Sequence, residues 1–116
     1  MPFFKKSKPT PDADGFYPAA KLHDVQVGRM TAVKIGDKVV VLTAWEGDVY
    51  AFTAVCPHAA ANLTNGEINR WKVTCPDHDY CFDIRNGRIL YPADEMMRLK
   101  TYPVKVTDDQ ILVKVN

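Results

Sequence analysis

Apolar and polar positions alternate over short stretches along most of the chain, and the breaks between stretches hold residues that suit turns. Without runs long enough for an amphipathic helix, this rhythm predicts an all-β domain from Phe16 onward. Arg29 to Ile35 gives way at Gly36-Asp37 to Lys38 to Trp45, and Glu46-Gly47-Asp48 leads into Val49 to Val55. A three-strand meander is expected there. Within it Val39-Val40-Val41-Leu42 is continuously apolar, which predicts a strand covered on both sides. Further on, Leu63-Thr64-Asn65-Gly66 reads as a turn and Glu67 to Thr74 as one strand. Tyr80 to Arg85 and Arg88 to Tyr91 read as a hairpin closed by Asn86-Gly87. Val104-Lys105-Val106 and Ile111 to Val115, joined through Thr107-Asp108-Asp109-Gln110, read as a closing hairpin. No internal repeat is visible.

The first fifteen residues break this rhythm. Lys5, Lys6 and Lys8 are mixed with Pro2, Pro9 and Pro11 and followed by Asp12, Asp14 and Gly15, so residues 1–15 are expected to be a flexible lead-in to one domain at 16–116. A length of 116 residues with 47% in the hydrophobic set suits a single core. Fifteen Lys and Arg against fourteen Asp and Glu leave a formal charge of +1, which indicates neither a nucleic acid nor an anionic lipid surface as partner. Met1-Pro2-Phe3-Phe4-Lys5-Lys6 lacks a hydrophobic run of signal-peptide length, and no apolar run reaches membrane-spanning length. A soluble, cytoplasmic, monomeric protein is expected. Three cysteines, two of them in the motif described next, leave Cys81 without an intrachain partner and fit a reducing compartment.

The chemistry sits in two short pairs. Cys56-Pro57-His58 is separated by residues 59–74 from Cys75-Pro76-Asp77-His78. This is C-x-H...C-x2-H, a spacing at which two thiolates can hold one iron of a [2Fe-2S] cluster while two imidazoles hold the other. Each pair falls in a loop between expected strands. A structural zinc site also uses two cysteines and two histidines, but such modules usually begin C-x2-4-C and end H-x3-5-H, whereas each loop here offers one of each. His23, alone before Asp24, reads as a surface or packing residue. Cys81, lone within a strand, reads as a small buried hydrophobe. Met96 and Met97 suit either a docking surface or packing.

From about Val25 to Val115 the chain resembles the Rieske-type ferredoxins, in Val55-Cys56-Pro57-His58, Leu63 with Gly66, Cys75-Pro76-Asp77-His78, Phe82-Asp83, Asn86-Gly87, Pro92-Ala93 and Tyr102-Pro103-Val104. The resemblance implies an antiparallel β-sandwich or barrel base of three sheets, with a cluster-binding subdomain of two projecting loops. It implies that Cys56 and Cys75 bind an inner iron, that His58 and His78 bind an outer one near the tip, and that Tyr91-Pro92-Ala93-Asp94 covers the site. Two positions depart from the family pattern. Glycine commonly follows the second histidine and lies two residues after the first, where this chain has Asp79 and Ala60. Asp tolerates a left-handed backbone, so the loop shape can survive, and the Asp79 carboxylate reads either as a charge opposing reduction of the cluster or as an ordinary loop acid pointing to water.

The function expected is that of a one-electron carrier and not an enzyme, taking electrons from a reductase and delivering them to a terminal enzyme such as an oxygenase. No nucleophile with a base and no nucleotide motif accompanies the loops. The alternative is a small subunit of a nitrite reductase or another oxidoreductase complex. Respiratory relatives place a Ser two residues and a Tyr four residues after the second histidine, whose hydroxyls bond cluster sulfur, and add a cysteine to each loop. Here those positions are Tyr80 and Phe82, with Ala60 and Asp77 in place of the clamp cysteines. The reduction potential is therefore expected towards the lower end of the roughly −150 to +300 mV range of Rieske centres. Voltammetry giving a value in the upper half of that range would refute the assignment of missing hydroxyl donors as the controlling feature.

Overall fold

A computed structural model describes residues 10–115, and the expected lead-in lysines at 5, 6 and 8 lie outside the described residues. Among the described residues eleven strands run in chain order: β1 (Tyr17–Lys21), β2 (Thr31–Ile35), β3 (Lys38–Trp45), β4 (Asp48–Thr53), β5 (Glu67–Asn69), β6 (Lys72–Thr74), β7 (Cys81–Asp83), β8 (Ile89–Tyr91), β9 (Thr101–Tyr102), β10 (Val104–Thr107) and β11 (Gln110–Val113). They form three sheets, ordered β1-β11-β10, β2-β3-β4-β9 and β5-β6-β7-β8, with every pairing inside a sheet antiparallel. The all-β, three-sheet expectation matches this architecture. No helix among the described residues is long and apolar enough to cross a membrane.

The middle sheet carries a core on each face because side chains alternate along a strand. Val40, Leu42 and Ala51 join Val25, Ile35, Ile111, Val113 and Val115 on one side. Val41 and Phe52 join Ala54, Cys56, Leu63, Val73, Cys75, Phe82, Ile84 and Leu99 on the other. The apolar run in β3 is thus covered on both faces from Val40 to Leu42, while Val39 at its start is exposed.

The meander forms where expected. Glu46 and Gly47 both take positive φ, 51° and 85°, as a two-residue primed turn between twisted strands requires. The closing hairpin uses the same device at Asp108 and Asp109, φ 50° and 65°. Asp12 ties down the segment before β1: its Oδ1 accepts from the backbone N–H of Asp14 and of Phe16, and Oδ2 lies 2.6 Å from Lys105 Nζ on β10.

Two expectations from the sequence are corrected. Glu67 to Thr74 is not one strand but the β5–β6 hairpin, turning at Arg70-Trp71 with Arg70 at φ 59°. Neither turn residue is Gly, Pro or Asn, and Asn69 just before them is the one local turn signal; the turn is held because the Trp71 carbonyl accepts from Ile84 N–H and its ring lies against Trp45 at 6.0 Å and the Arg85 guanidinium at 4.8 Å. Asn86-Gly87 is not a two-residue turn either. The link from β7 to β8 is longer, with the Asp83 carbonyl accepting from Gly87 N–H and Asp83 N–H donating to the Arg88 carbonyl. Gly87 alone of that pair takes positive φ, 80°, and a Cβ there would also strike the Leu99 carbonyl.

Asp83 organises this longer loop. Its carboxylate is almost fully buried and accepts from the backbone N–H of Arg85 at 2.9 Å and from Arg85 Nε and Nη2 at 3.0 and 2.9 Å. Burial works to raise its pKa, but the Arg85 fork and backbone donor outweigh it and hold the carboxyl below its ordinary value of 3.8. A depressed acid contributes stability that is complete above the unfolded pKa and is lost as pH falls through the folded one. Asp83→Asn is expected to cost about 1–2 kcal/mol near neutrality. Denaturant titrations should show the native and variant proteins converging as pH drops below 3.8, and a constant difference down to acid pH would contradict this assignment.

Candidate metal centre

Two loops, one between β4 and β5 and one between β6 and β7, close by the same backbone device. In the first, Cys56 N–H donates to the Ala61 carbonyl at 2.8 Å, and Ala60 N–H returns to the Cys56 carbonyl at 2.9 Å. In the second, Cys75 N–H donates to the Tyr80 carbonyl at 2.7 Å. A chain that reverses in six residues needs a left-handed residue near the end, and the fifth position of each loop supplies it: Ala60 at φ 56° and Asp79 at φ 59°, with His78 at φ 64° just before. These are the two positions at which the family prefers glycine. The loop shape survives both replacements, at a conformational cost.

The loops are rooted in the core. Cys56 and Cys75 are each 1% exposed and belong to the same apolar cluster as Phe52, Leu63 and Phe82. Behind the first loop, Asn62 caps the single turn Leu63–Asn65 by accepting from Thr64 N–H, and Leu63 N–H donates to the Ala54 carbonyl. Gly66 ends that turn at φ −92°, so its role is not a left-handed backbone. It is one of close approach: a Cβ would collide with the Thr74 carbonyl, one residue before Cys75.

The donor atoms of Cys56, His58 and Cys75 all lie within 4.8 Å of one another. His58 Nδ1 is 3.3 Å from Cys56 Sγ and 4.0 Å from Cys75 Sγ. His78 stands outside that trio, on the exposed side, with its Nδ1 3.3 Å from His58 Nε2. The four residues singled out from the sequence are therefore drawn to one place, three as a compact donor group and His78 beside it. No disulfide joins the cysteines. Burial, with the neighbouring Cys56, pushes the Cys75 thiol up to about 11, although Asp77 N–H donates to its sulfur at 3.4 Å. The Cys75 thiol, kept protonated by burial, lies with the Cys56 sulfur beside an imidazole nitrogen, a donor set that can exchange protons for a metal. The residues fit an iron–sulfur centre.

The other candidates fall elsewhere. His23 is largely exposed, 3.4 Å from Asp24. Cys81 is half-buried in β7, where Thr74 Oγ1 approaches its sulfur at 3.8 Å. Met97 packs on the core around the cysteines, whereas Met96 is 94% exposed. Phe82 is fully buried, and among the described residues no hydroxyl donates to Cys56 or Cys75. The segment after β8 comes near Tyr80, whose phenol is pushed up by burial and by the Glu95 and Asp94 carboxylates. Tyr80 is the residue whose part the sequence did not disclose: its ring stacks on His58 with centroids 3.8 Å apart and planes 7° apart. An aromatic side chain two residues after a ligand histidine was the available signal.

The model of the Rieske [2Fe-2S] domain family matches residues 15–112. A ferredoxin component of naphthalene 1,2-dioxygenase/salicylate 5-hydroxylase systems from Ralstonia sp. is 33% identical over 84% of this chain and 92% of its own length. The ferredoxin component of the naphthalene 1,2-dioxygenase system of Pseudomonas aeruginosa is 31% identical over 84% of this chain and 93% of its own. Among solved structures, the ferredoxin of carbazole 1,9a-dioxygenase from Nocardioides aromaticivorans IC177 superposes with a TM-score of 0.79 at 28% identity, over 87% of this chain and 98% of that one.

If the left-handed residues are what close the loops, Ala60→Gly should raise the thermal midpoint of the metal-loaded protein, the relief of about 1 kcal/mol being partly offset by glycine's unfolded-state entropy. Ala60→Val should lower it and release metal more readily. Equal midpoints for the two variants would show that the backbone at residue 60 carries no strain.

Proposed function

Because the chain belongs to the Rieske [2Fe-2S] domain family, we propose that it is a one-electron carrier which accepts electrons from a reductase and delivers them to a terminal oxygenase. The observation that carries this reading is the convergence of Cys56, His58 and Cys75 at the end of two loops closed alike, with His78 beside them. In this reading Cys56 and Cys75 hold the inner iron of one [2Fe-2S] cluster, and His58 and His78 hold the outer iron. Bound there, the cluster supplies a one-electron couple whose two neutral imidazoles make it less negative than a four-thiolate centre, so that it is reduced at a higher potential.

The chain's own residues do the rest. The buried cysteines keep the sulfur side dry, and exposed His78 presents the imidazole side to a partner. The protein itself makes and breaks no bonds in substrate. Relatives matched over more than nine tenths of their own length, 92% and 93%, are ferredoxin components of dioxygenase systems, which supports a carrier over a subunit of a reductase complex. The carrier domain spans residues 16–116 behind a short lead-in, and the protein works in the cytoplasm as a monomer.

Anaerobic purification followed by iron and sulfide analysis is expected to give two of each per chain, with an electron paramagnetic resonance signal of the mixed-ligand type on reduction. Changing His58 or His78 to Cys should lower the potential or lose the cluster, while His23→Ala should leave the spectrum intact. A colourless protein containing zinc would refute the carrier reading.

A further inference from the structure

An imidazole at the tip of a loop can tilt and turn about its side-chain bonds, so a ligand histidine needs something to hold its plane. The nitrogens of His58 meet their neighbours at the ring edge: Cys56 Sγ at 3.3 Å and Cys75 Sγ at 4.0 Å on the Nδ1 side, and His78 Nδ1 at 3.3 Å from Nε2. His78 itself meets the ring edge-on, with planes 71° apart. Edge contacts restrain where the nitrogens sit but leave the ring free to tilt. One contact acts on the face, the Tyr80 ring lying parallel to it at 3.8 Å.

Tyr80 is placed for this by the loop itself. Its carbonyl is the acceptor that closes the second loop onto Cys75 N–H, and its side chain packs against the core that buries both cysteines. The outcome is an asymmetry between the two imidazoles. His58 is half-buried although Pro57, Ala59 and Ala60 around it are exposed, whereas His78 is exposed together with Asp77 and Asp79.

We infer that Tyr80 is a positioning residue for His58: through the stacked ring it fixes the imidazole plane and keeps water from one face, leaving His78 as the more open of the two ligands. This rests on His58 and His78 being cluster ligands. It adds to that reading a residue outside the ligand set and a difference in role between the two histidines. Stacking of this kind is a property of the ring and not of the hydroxyl.

The test uses the cluster-loaded full chain carrying Tyr80→Phe, Tyr80→Leu or Tyr80→Ala, read by iron content, the reduced-state paramagnetic resonance spectrum, visible circular dichroism and potential at one fixed pH. Tyr80→Phe is expected to match the native protein in all four. Tyr80→Leu and Tyr80→Ala should broaden and shift the resonance, alter the dichroism and raise the potential, since water reaching His58 favours the more negative reduced state. If Tyr80→Ala loses its iron, Tyr80→Leu decides: an altered spectrum with iron retained supports the inference, and a native spectrum overturns it. A phenylalanine variant as disturbed as the alanine one would overturn it too, by assigning the effect to the hydroxyl. Absence of a mixed-ligand signal in the native protein would instead sink the cluster reading itself.

Discussion

The centre depends on one geometric demand: each cysteine must bury its sulfur in the apolar core while the chain reverses within six residues to present a histidine outside it. Backbone hydrogen bonds from Cys56 to Ala61 and from Cys75 to Tyr80 close these reversals, and left-handed residues at Ala60 and Asp79 make them possible. Glycine would meet the demand with less strain. Two non-glycine residues meet it here because the cysteine at one end and the strand at the other are anchored by packing, so the loop has few other ways to close. Strain of this kind persists where the surroundings over-determine the backbone.

That anchoring comes from the middle sheet. β3 and β4 send Val41 and Phe52 towards the cysteines and Val40, Leu42 and Ala51 towards the opposite core, so the site shares its foundation with the rest of the domain. Gly66 and Gly87 serve the same end without sharing a conformation. Each lets one backbone run against a carbonyl, that of Thr74 or of Leu99, and only Gly87 also uses positive φ.

The donor set follows a division between dry and wet sides. Sulfur sits in the core, where burial keeps the Cys75 thiol protonated until a metal displaces the proton. Nitrogen sits towards solvent, and the two imidazoles differ in cover, with Tyr80 over one and nothing comparable over the other among the described residues. Asp79 places a carboxylate next to the exposed histidine. Among the described residues no hydroxyl donates to the Cys56 or Cys75 sulfur, so the polar groups nearest the donor set are those at the loop tip.

The β rhythm, the meander, the strand covered on both faces and the Cys and His pairs were all legible in the linear chain, because each depends on residue type and spacing over a few positions. The loop conformations at Ala60 and Asp79 were legible only as a question, since Asp tolerates a left-handed backbone without requiring one and Ala gives no sign of it. The turn at Arg70-Trp71 was hidden because Trp45, Ile84 and Arg85, distant in sequence, hold it. The same holds for the ring of Tyr80 on His58, twenty-two positions away. Amino-acid order by itself determined which atoms this protein offers to a metal; tertiary structure decided how they face one another, because orientation is set by contacts between loops that meet only once the core has formed.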